Sequence, residues 1–194
     1  MVFDGILISI IIGFLRKGSL RGIAEIKLKG GYIFPLLLII QLTIYLLQSK
    51  FALITNISGY LFITIYLCGM YFLWLNRKHC GFLLILAGVF LNFLVMAING
   101  GRMPVSMEAA IILDPYYIDV LLNDVYGKHM LLTESTKLAF LGDIIPITNP
   151  YPKSQVISIG DIFMNIGIFF FIQQLMLKHK LTKISHPVLK KEVN

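Results

Sequence analysis

The stretch VISIGDIFMNIGIFFFIQQLML, residues 156–177, decides the fold class of this chain. It contains one charged side chain, that of Asp161. At a rise of ~1.5 Å per residue, an α-helix of this length crosses the ~30 Å hydrocarbon core of a bilayer. A helix is expected because it hydrogen-bonds its own backbone where no water is present. The stretch therefore predicts a membrane-spanning helix.

Four further apolar runs precede this one, at residues 1–15, 31–48, 57–75 and 81–97. The whole chain is 57% hydrophobic and 14% charged, whereas a soluble domain is about 25% charged. In the first run, Asp4 comes before the apolar core and Arg16-Lys17 after it, unlike a signal peptide, so we expect a retained helix. The sequence predicts an all-α integral membrane protein, one domain over residues 1–194 with about five transmembrane helices in a lipid bilayer.

The distribution of charge predicts the orientation. Of the 17 Lys and Arg residues, twelve lie in segments 16–29, 77–78 and 178–191. These segments fall on one side if the N-terminus is outside and the tail 178–194 is cytoplasmic, as basic residues prefer. Eight of the ten acidic residues then fall on or near the outer side. The basic residues flank apolar runs and form no nucleic-acid patch, so no nucleic-acid partner is predicted.

Two segments outside the predicted spans have helical character. In the outer loop, residues 99–155, a short amphipathic helix is predicted from Asp114 to Gly127, with Asp114 as its cap and Pro115 as its first residue. The connector at residues 18–29 reads either as an interfacial helix attracted to anionic lipid or as a plain charged linker.

The motif NGGRMPVS, residues 99–106, is the first candidate binding site. The glycines Gly100 and Gly101 allow a tight turn with exposed N–H groups, and Arg102 adds a cation beside Asn99. The functional interpretation is a site for an anion or a carbonyl oxygen. The alternative is a turn whose arginine pairs with a nearby carboxylate.

Asp161 is the central candidate of the last predicted helix. It lies five residues past the start of the apolar run, where an ionised carboxylate is costly unless it is paired or hydrated. Asn165 lies one turn further on, and Asn92 shares a face of the fourth helix with Asn99. These residues predict a polar pocket between the fourth and fifth helices, open to the outside. The alternative is polar contacts that only hold the helices together.

The outer loop supplies two further acids, Glu134 and Asp143, as partners for Asp161. Two carboxylates in a poorly hydrated site do not both ionise easily, so one can act as an acid while the other activates water. All three are therefore candidate catalytic residues. His129 has no partner at ligand spacing and reads as a surface histidine, and the two cysteines form no metal motif. No metal and no cofactor are predicted.

At NGGRMPVS (99–106), LLTESTKLAFLGDIIPI (131–147) and VISIGDIFMNIGIFFF (156–171) the chain resembles a bacterial membrane-protein family catalogued only as a domain of unknown function. The resemblance covers about residues 81–172. It implies a multi-pass protein of the bacterial cytoplasmic (inner) membrane and supplies no activity.

The last helix is also similar to that of lipoprotein signal peptidase, which uses two aspartates at the outer membrane boundary. By spacing, the resemblance sets Glu134 against the earlier aspartate, with Asp143 between it and Asp161, and Asn99-Gly100 where that family has Asn-x-Gly. The chain departs from that family in having glutamate there, no arginine after it, and no two helices between the asparagine motif and the first acid.

Three functions are compatible with these observations. The favoured hypothesis is a membrane protein that binds a membrane-protein partner, or a lipid or peptide ligand, at its outer face. The second is an intramembrane hydrolase that uses the outer carboxylates. The third is a small carrier with Asp161 as a proton or cation site, against which the missing internal repeat counts.

Overall fold

The computed structural model describes residues 2–48, 50–113, 127–151 and 154–189, with side chains for residues 5–48, 50–111, 127–151 and 154–178. The described chain is mostly helical and has seven α-helices. Their bounds are α1 Val2–Leu15, α2 Arg21–Ala24, α3 Ile33–Leu47, α4 Ala52–Leu75, α5 Phe82–Ile98, α6 Met107–Leu113 and α7 Ile159–Leu189.

Two helices are long and apolar enough to cross a membrane, namely α4 and residues Ile159–Lys178 of α7. Only 28% of the most apolar window of α4 and 33% of that of α7 are buried inside the protein. The other apolar helices, Gly5–Leu15, Ile33–Leu47 and Phe82–Ile98, are shorter. The structure thus has five apolar helices where the sequence predicts spans, two of them of spanning length.

The helices form a row. The extensive contacts run from α3 to α4, from α4 to α5, from α5 to α7 and from α7 to α1. No comparably extensive contact joins α3 to α7 in the described residues. From α3 to α7 neighbouring helices run in opposite directions: short connections join α3 to α4 and α4 to α5, and Gly81 and Gly88 lie against Gly167 and Gly160 of α7. α1 runs parallel to α7, with Gly5 near Asn165 and Gly13 near Met176. The row therefore has a concave side between α3 and α7.

Small residues allow α5 and α7 to approach closely. A Cβ atom at Gly88 would lie 2.3 Å from the carbonyl oxygen of Gly160 and 2.8 Å from the backbone nitrogen of Met164. Both are backbone atoms of α7, so a side chain at Gly88 would push the helices apart. Small residues at helix contacts are typical of membrane bundles.

We therefore expect Gly88→Ala to destabilise the protein by about 2 kcal/mol through overpacking. Gly69→Ala in α4 is the matched control, since its Cβ would have Leu37 Cδ1 at 3.9 Å as its nearest neighbour. Alanine is the better helix former by about 1 kcal/mol, so the control should be neutral or stabilising. Thermal unfolding of both variants in detergent measures the difference, and equal melting temperatures would contradict this packing.

In the segment that joins α5 to α7, the described residues 99–113, 127–151 and 154–158 form a small cap on one end of the bundle. It contains the strands β1 Met103–Val105, β2 His129–Leu131, β3 Ile145–Ile147 and β4 Gln155–Ile157. β1 pairs with β2 in parallel, and β3 pairs with β4 antiparallel. These two sheets correct the all-α prediction. The amphipathic helix predicted at Asp114–Gly127 falls almost wholly outside the described residues.

The cap is anchored by a buried apolar cluster that it shares with the bundle. Met103 of β1 and Leu141 of a 3₁₀ turn pack with Ile44, Phe62 and Val95 from α3, α4 and α5. A second cluster, built on Phe72 and Phe82, fills the opposite end of the bundle. The first cluster fixes the cap relative to the helix ends beneath it, and the second holds the opposite ends of the helices together.

Two element boundaries differ from the sequence predictions. In the connector at residues 18–29, the structure forms only the four-residue helix α2, whose Gly22 is buried against α7. α7 begins at Ile159, not at residue 156, because residues 155–157 pair with β3. Asp161 thus lies in the first turn of α7, not deep within an apolar run.

Candidate functional site

A cavity of about 540 Å³ occupies the concave side of the helix row. α3, α4, α5 and α7 all contribute to its walls. The lining of α3 runs from Phe34 to Gln41 and that of α7 from Asp161 to Ile168, which corresponds to ~10 Å along each helix. The volume lies within the ~300–1,000 Å³ typical of ligand sites.

The cavity is polar at the cap end and apolar along the rest. The polar end is lined by Lys128, His129, Asp143, Gln155 and Asp161. Away from the cap the walls are aliphatic and aromatic, with Leu37, Ile65, Phe72, Val89 and Met164 among them. The cavity is therefore amphipathic along its length.

Asp161 is held in place by the start of α7. The Ser158 hydroxyl accepts a hydrogen bond from the Asp161 N–H at 3.0 Å, and Asp161 Oδ2 accepts one from the Ser158 N–H at 3.0 Å. This reciprocal pair is a capping box. From α5, Asn92 Nδ2 donates to Asp161 Oδ1 at 3.1 Å, and Asn92 Oδ1 accepts from the Ser158 hydroxyl at 2.9 Å. The network fixes the carboxylate and joins the two helices.

Because Ser158 is fully buried in this network, Ser158→Ala should lower the stability by about 1 kcal/mol, as expected for loss of a helix cap. Ser154 is exposed, so Ser154→Ala is the control and should leave stability unchanged. Thermal melting in detergent compares the two variants. A Ser158→Ala protein as stable as the control would show that the capping box contributes nothing.

Asp143 is held by the backbone of the neighbouring strand. Its N–H donates to the Pro104 carbonyl at 2.8 Å, and its carbonyl accepts from the Ser106 N–H at 3.0 Å. The side chain points into the cavity, where Asp143 is only 8% exposed. Its Oδ2 lies 3.6 Å from His129 Nε2. Its Oδ1 is buried and has no hydrogen-bond partner in the described residues.

The surroundings of these groups shift their pKa values. Burial, followed by the charge of Asp161, raises the pKa of Asp143 to about 7, while Lys128 opposes the shift. Burial, followed by the charges of Lys128 and Arg102, lowers the pKa of His129 to about 3. At neutral pH the 3.6 Å contact thus joins a neutral imidazole to a carboxyl group near its midpoint, and is not a charged ion pair.

Lys128 supplies the cation at the polar end. The pKa of Lys128 is raised, mainly by the neighbouring Tyr66. Burial lowers this pKa, whereas Asp143 and Asp161 raise it further. Tyr66 also forms a side-chain hydrogen bond with Lys128. The lysine is therefore fully charged at neutral pH and faces the two aspartates.

The NGGR motif lies at a joint between the cap and α4. Arg102 donates hydrogen bonds to Ser58 Oγ at 2.8 Å, to the Thr55 carbonyl at 3.4 Å and to the Gly127 carbonyl. A Cβ at Gly59 would lie 2.3 Å from the carbonyl oxygen of Gly100. The arginine is not part of the cavity lining.

The remaining predicted residues take other places. Asn99 ends α5, where its side-chain amide bonds the Val95 carbonyl and both the N–H and the carbonyl of Lys137. Glu134 is exposed in a turn of the cap and does not line the cavity. Asn165 donates to the Asp161 backbone carbonyl, and its Oδ1 faces Gly5 of α1. Of the predicted set, Asp143 and Asp161 meet in the cavity and Asn92 supports Asp161.

Sequence reasoning missed Lys128, His129 and Ser158. The interpretation of His129 as a solvated surface residue is wrong, since its ring lines the cavity beside Asp143. The Ser158-x-x-Asp161 spacing was a readable signal of a capping box. No local signal pointed to His129, because its partner Asp143 comes from a later segment of the cap, outside β2. Within the described residues, no group of three or more His, Cys, Asp or Glu side chains could hold a metal ion.

Comparison with known proteins identifies a family. A family model described as a family of unknown function, DUF5317, matches residues 25–173. A protein of Thermotoga maritima, described as an uncharacterized protein, is 30% identical over 187 residues, which cover 96% of this chain and 99% of the relative. No solved structure matches the chain. On this evidence the chain belongs to the DUF5317 family.

Proposed function

We propose that this chain is a multi-pass protein of the bacterial inner membrane that binds a lipid-like amphiphile in its cavity. The first support is the apolar surface of the bundle. Large side chains such as Phe34 and Ile39 of α3, Leu67 of α4 and Phe170 of α7 are 46–62% exposed. The helices of a soluble core would bury such side chains, whereas lipid-facing helices expose them.

The second support is the separation of charge between the two ends. The end opposite the cap gathers the basic segments: Lys29 bonds Asn76 at the end of α4, and Arg16 bonds Gln173 of α7. With this end in the cytoplasm, the arrangement follows the preference of basic residues for the inner side. The cap then lies on the outer side, with the N-terminus outside and the C-terminal tail inside.

The observation that carries the binding proposal is the amphipathic cavity itself. A ligand with a polar head would place it against Lys128, Asp143 and Asp161, and its apolar chain would lie along the aliphatic walls below. Because no extensive contact joins α3 to α7, a chain could enter sideways from the bilayer. Pockets of this kind fix orientation by a few polar groups and gain affinity from apolar burial.

The proposal is tested by filling the cavity. Gly69 lines it, and a Cβ atom there would have Leu37 Cδ1 at 3.9 Å as its nearest neighbour, so Gly69→Phe would project a ring into the space. Lipid bound to the purified protein, measured by native mass spectrometry, should fall about tenfold, equivalent to ~1.4 kcal/mol. Leu83→Phe, at a site 59% exposed, is the control. Absence of retained lipid in the wild type, or equal retention in both variants, would refute the proposal.

A second candidate function is hydrolysis, favoured by the two aspartates at the polar end. The charge of Asp161 contributes to raising the pKa of Asp143 to about 7, which suits a group that exchanges a proton near neutrality. In this scheme protonated Asp143 is the acid and the fixed Asp161 carboxylate activates water. Hydrolysis of an amphiphilic ester or peptide should then be abolished by both Asp143→Asn and Asp161→Asn and retained by Glu134→Gln. Equal turnover in all three variants would remove this candidate.

A further inference from the structure

The buried Oδ1 atom of Asp143 indicates which chemical group the head of the ligand should carry. Asp143 is more than nine-tenths buried, it lines the cavity, and its Oδ1 has no hydrogen-bond partner in the described residues. A buried acceptor left unpaired costs about 1–3 kcal/mol. A ligand that brings an N–H or O–H donor to this atom recovers that free energy, so the site selects for a donor.

The charges around this atom indicate which donor fits. Asp143 and Asp161 lie on the same polar wall, and the Asp161 carboxylate is already oriented by Asn92 and Ser158. A cationic donor gains from both acids, whereas a neutral hydroxyl gains only the hydrogen bond. A primary ammonium group provides a positive charge together with three N–H donors.

Because Lys128 is a cation at the same polar end, the head of the ligand should also carry a negatively charged group. Its ammonium group hydrogen-bonds Tyr66 and faces the cavity beside the two acids. A negatively charged phosphate group would complement the compact positive charge of the Lys128 ammonium group. The polar end thus presents one cationic and two acidic side chains to a single head, which matches a zwitterion better than a simple anion.

The apolar space next to the polar end fits two chains. A second hollow of about 410 Å³ shares Leu38, Gln41, Lys128 and His129 with the main cavity and continues past Leu42 and Tyr45, which follow Leu38 on the same face of α3. The two hollows therefore meet at one polar end. A head that carries two alkyl chains could place one chain in each hollow.

From these contacts we propose that the ligand is a two-chain phospholipid with a primary-amine head of the phosphoethanolamine type, its ammonium group at Asp143 and its phosphate at Lys128. The inference rests on the proposed lipid-binding function and adds the chemical class of the head. Asp161 is a positioning residue that adds negative charge, and Asn92 keeps it oriented.

The test compares lipids that share the same acyl chains. Phosphatidylethanolamine, its N-methyl and N,N-dimethyl derivatives and phosphatidylcholine carry ammonium groups with three, two, one and no N–H donors. Dissociation constants for the detergent-solubilised full-length protein should be similar for the first three lipids. The dissociation constant should be about tenfold higher for phosphatidylcholine, which has the positive charge but no N–H group to donate to Asp143. Phosphatidylglycerol, with hydroxyl donors and a net negative charge, should also bind about tenfold more weakly.

Two variants separate the roles of the charged groups. Asp143→Asn should reduce the preference for phosphatidylethanolamine over phosphatidylcholine to about twofold or less, because the charge-assisted hydrogen bond that only phosphatidylethanolamine donates becomes a weaker neutral one. Lys128→Gln should weaken both lipids alike, since both contain the phosphate. Glu134→Gln, an exposed acid of the same cap, is the control and should retain the wild-type preference.

The outcomes distinguish this inference from the function on which it rests. If the wild type binds phosphatidylethanolamine and phosphatidylcholine equally, the head-group assignment is wrong while lipid binding stands. If phosphatidylglycerol binds as tightly as phosphatidylethanolamine, the donor is a hydroxyl and the ammonium assignment is wrong. If none of the lipids binds, the proposed function fails as well.

Discussion

Leu67→Asp is expected to prevent α4 from inserting stably into the membrane. Leu67 is 50% exposed on a helix of 24 residues whose apolar window is only 28% buried. If this surface faces lipid, an aspartate here costs about 3 kcal/mol, roughly a hundredfold in the insertion equilibrium. On a soluble protein, an exposed leucine changed to aspartate alters stability by no more than about 0.5 kcal/mol. The two environments therefore predict very different results for one substitution.

The measurement is the amount of protein that stays in membranes after an alkaline wash. Leu53→Asp is the matched control, because Leu53 is 72% exposed near the beginning of the same helix. The cost of a charge falls steeply towards the membrane boundary, so this variant should insert almost normally. Leu67→Ala checks that loss of the side chain alone is tolerated. Normal insertion and stability of Leu67→Asp would show that this face of α4 does not contact lipid.

The helices could be predicted from the sequence because their signal is local. Each apolar run of the sequence predicts one helix without reference to the rest of the chain. The predicted ranges 31–48 and 81–97 agree with α3 and α5 to within a few residues. The strands could not be found in this way. Each has only three residues, and β1 reaches its partner β2 across a connection of more than twenty residues. A pairing of that kind leaves no periodic pattern in either strand.

The same distinction explains the candidate site. The contact of Asn92 with Asp161 follows from two neighbouring helices, each with a polar residue in an apolar stretch, and the sequence pointed to it. The contact of His129 with Asp143 depends on the bridge between Val105 and Asp143 beside the β1–β2 pair. Glu134 looked equivalent to Asp143 in the sequence, and only the fold separates a buried acid from an exposed one.

The pH dependence of stability should be unusually flat between about pH 4 and pH 6.5. Asp143 has a folded pKa of about 7, above its ordinary value of 3.8, so over this range the folded state holds a proton that the unfolded state lacks. Stability then falls as the pH rises. His129 has a folded pKa of about 3, below 6.5, so the unfolded state holds the extra proton and stability rises with pH. The two contributions are opposite and cancel.

Single substitutions should reveal each slope. His129→Leu leaves the Asp143 contribution, so stability should decrease by at most about 1.4 kcal/mol per pH unit from pH 4 to pH 6.5. Asp143→Asn leaves the His129 contribution, so stability should increase over the same range. Thermal melting in detergent at several pH values measures both slopes, and the double variant should again be flat.

This pattern also decides what the 3.6 Å contact between the two side chains is. A charged ion pair would raise the pKa of His129 and lower that of Asp143, so the wild type would be most stable between their ordinary values and would lose stability on both sides. Either single substitution would then flatten that maximum. Opposite slopes in the two variants, with a flat wild type, would instead show that burial dominates the site and keeps an uncharged imidazole beside a carboxyl group that ionises only near neutrality.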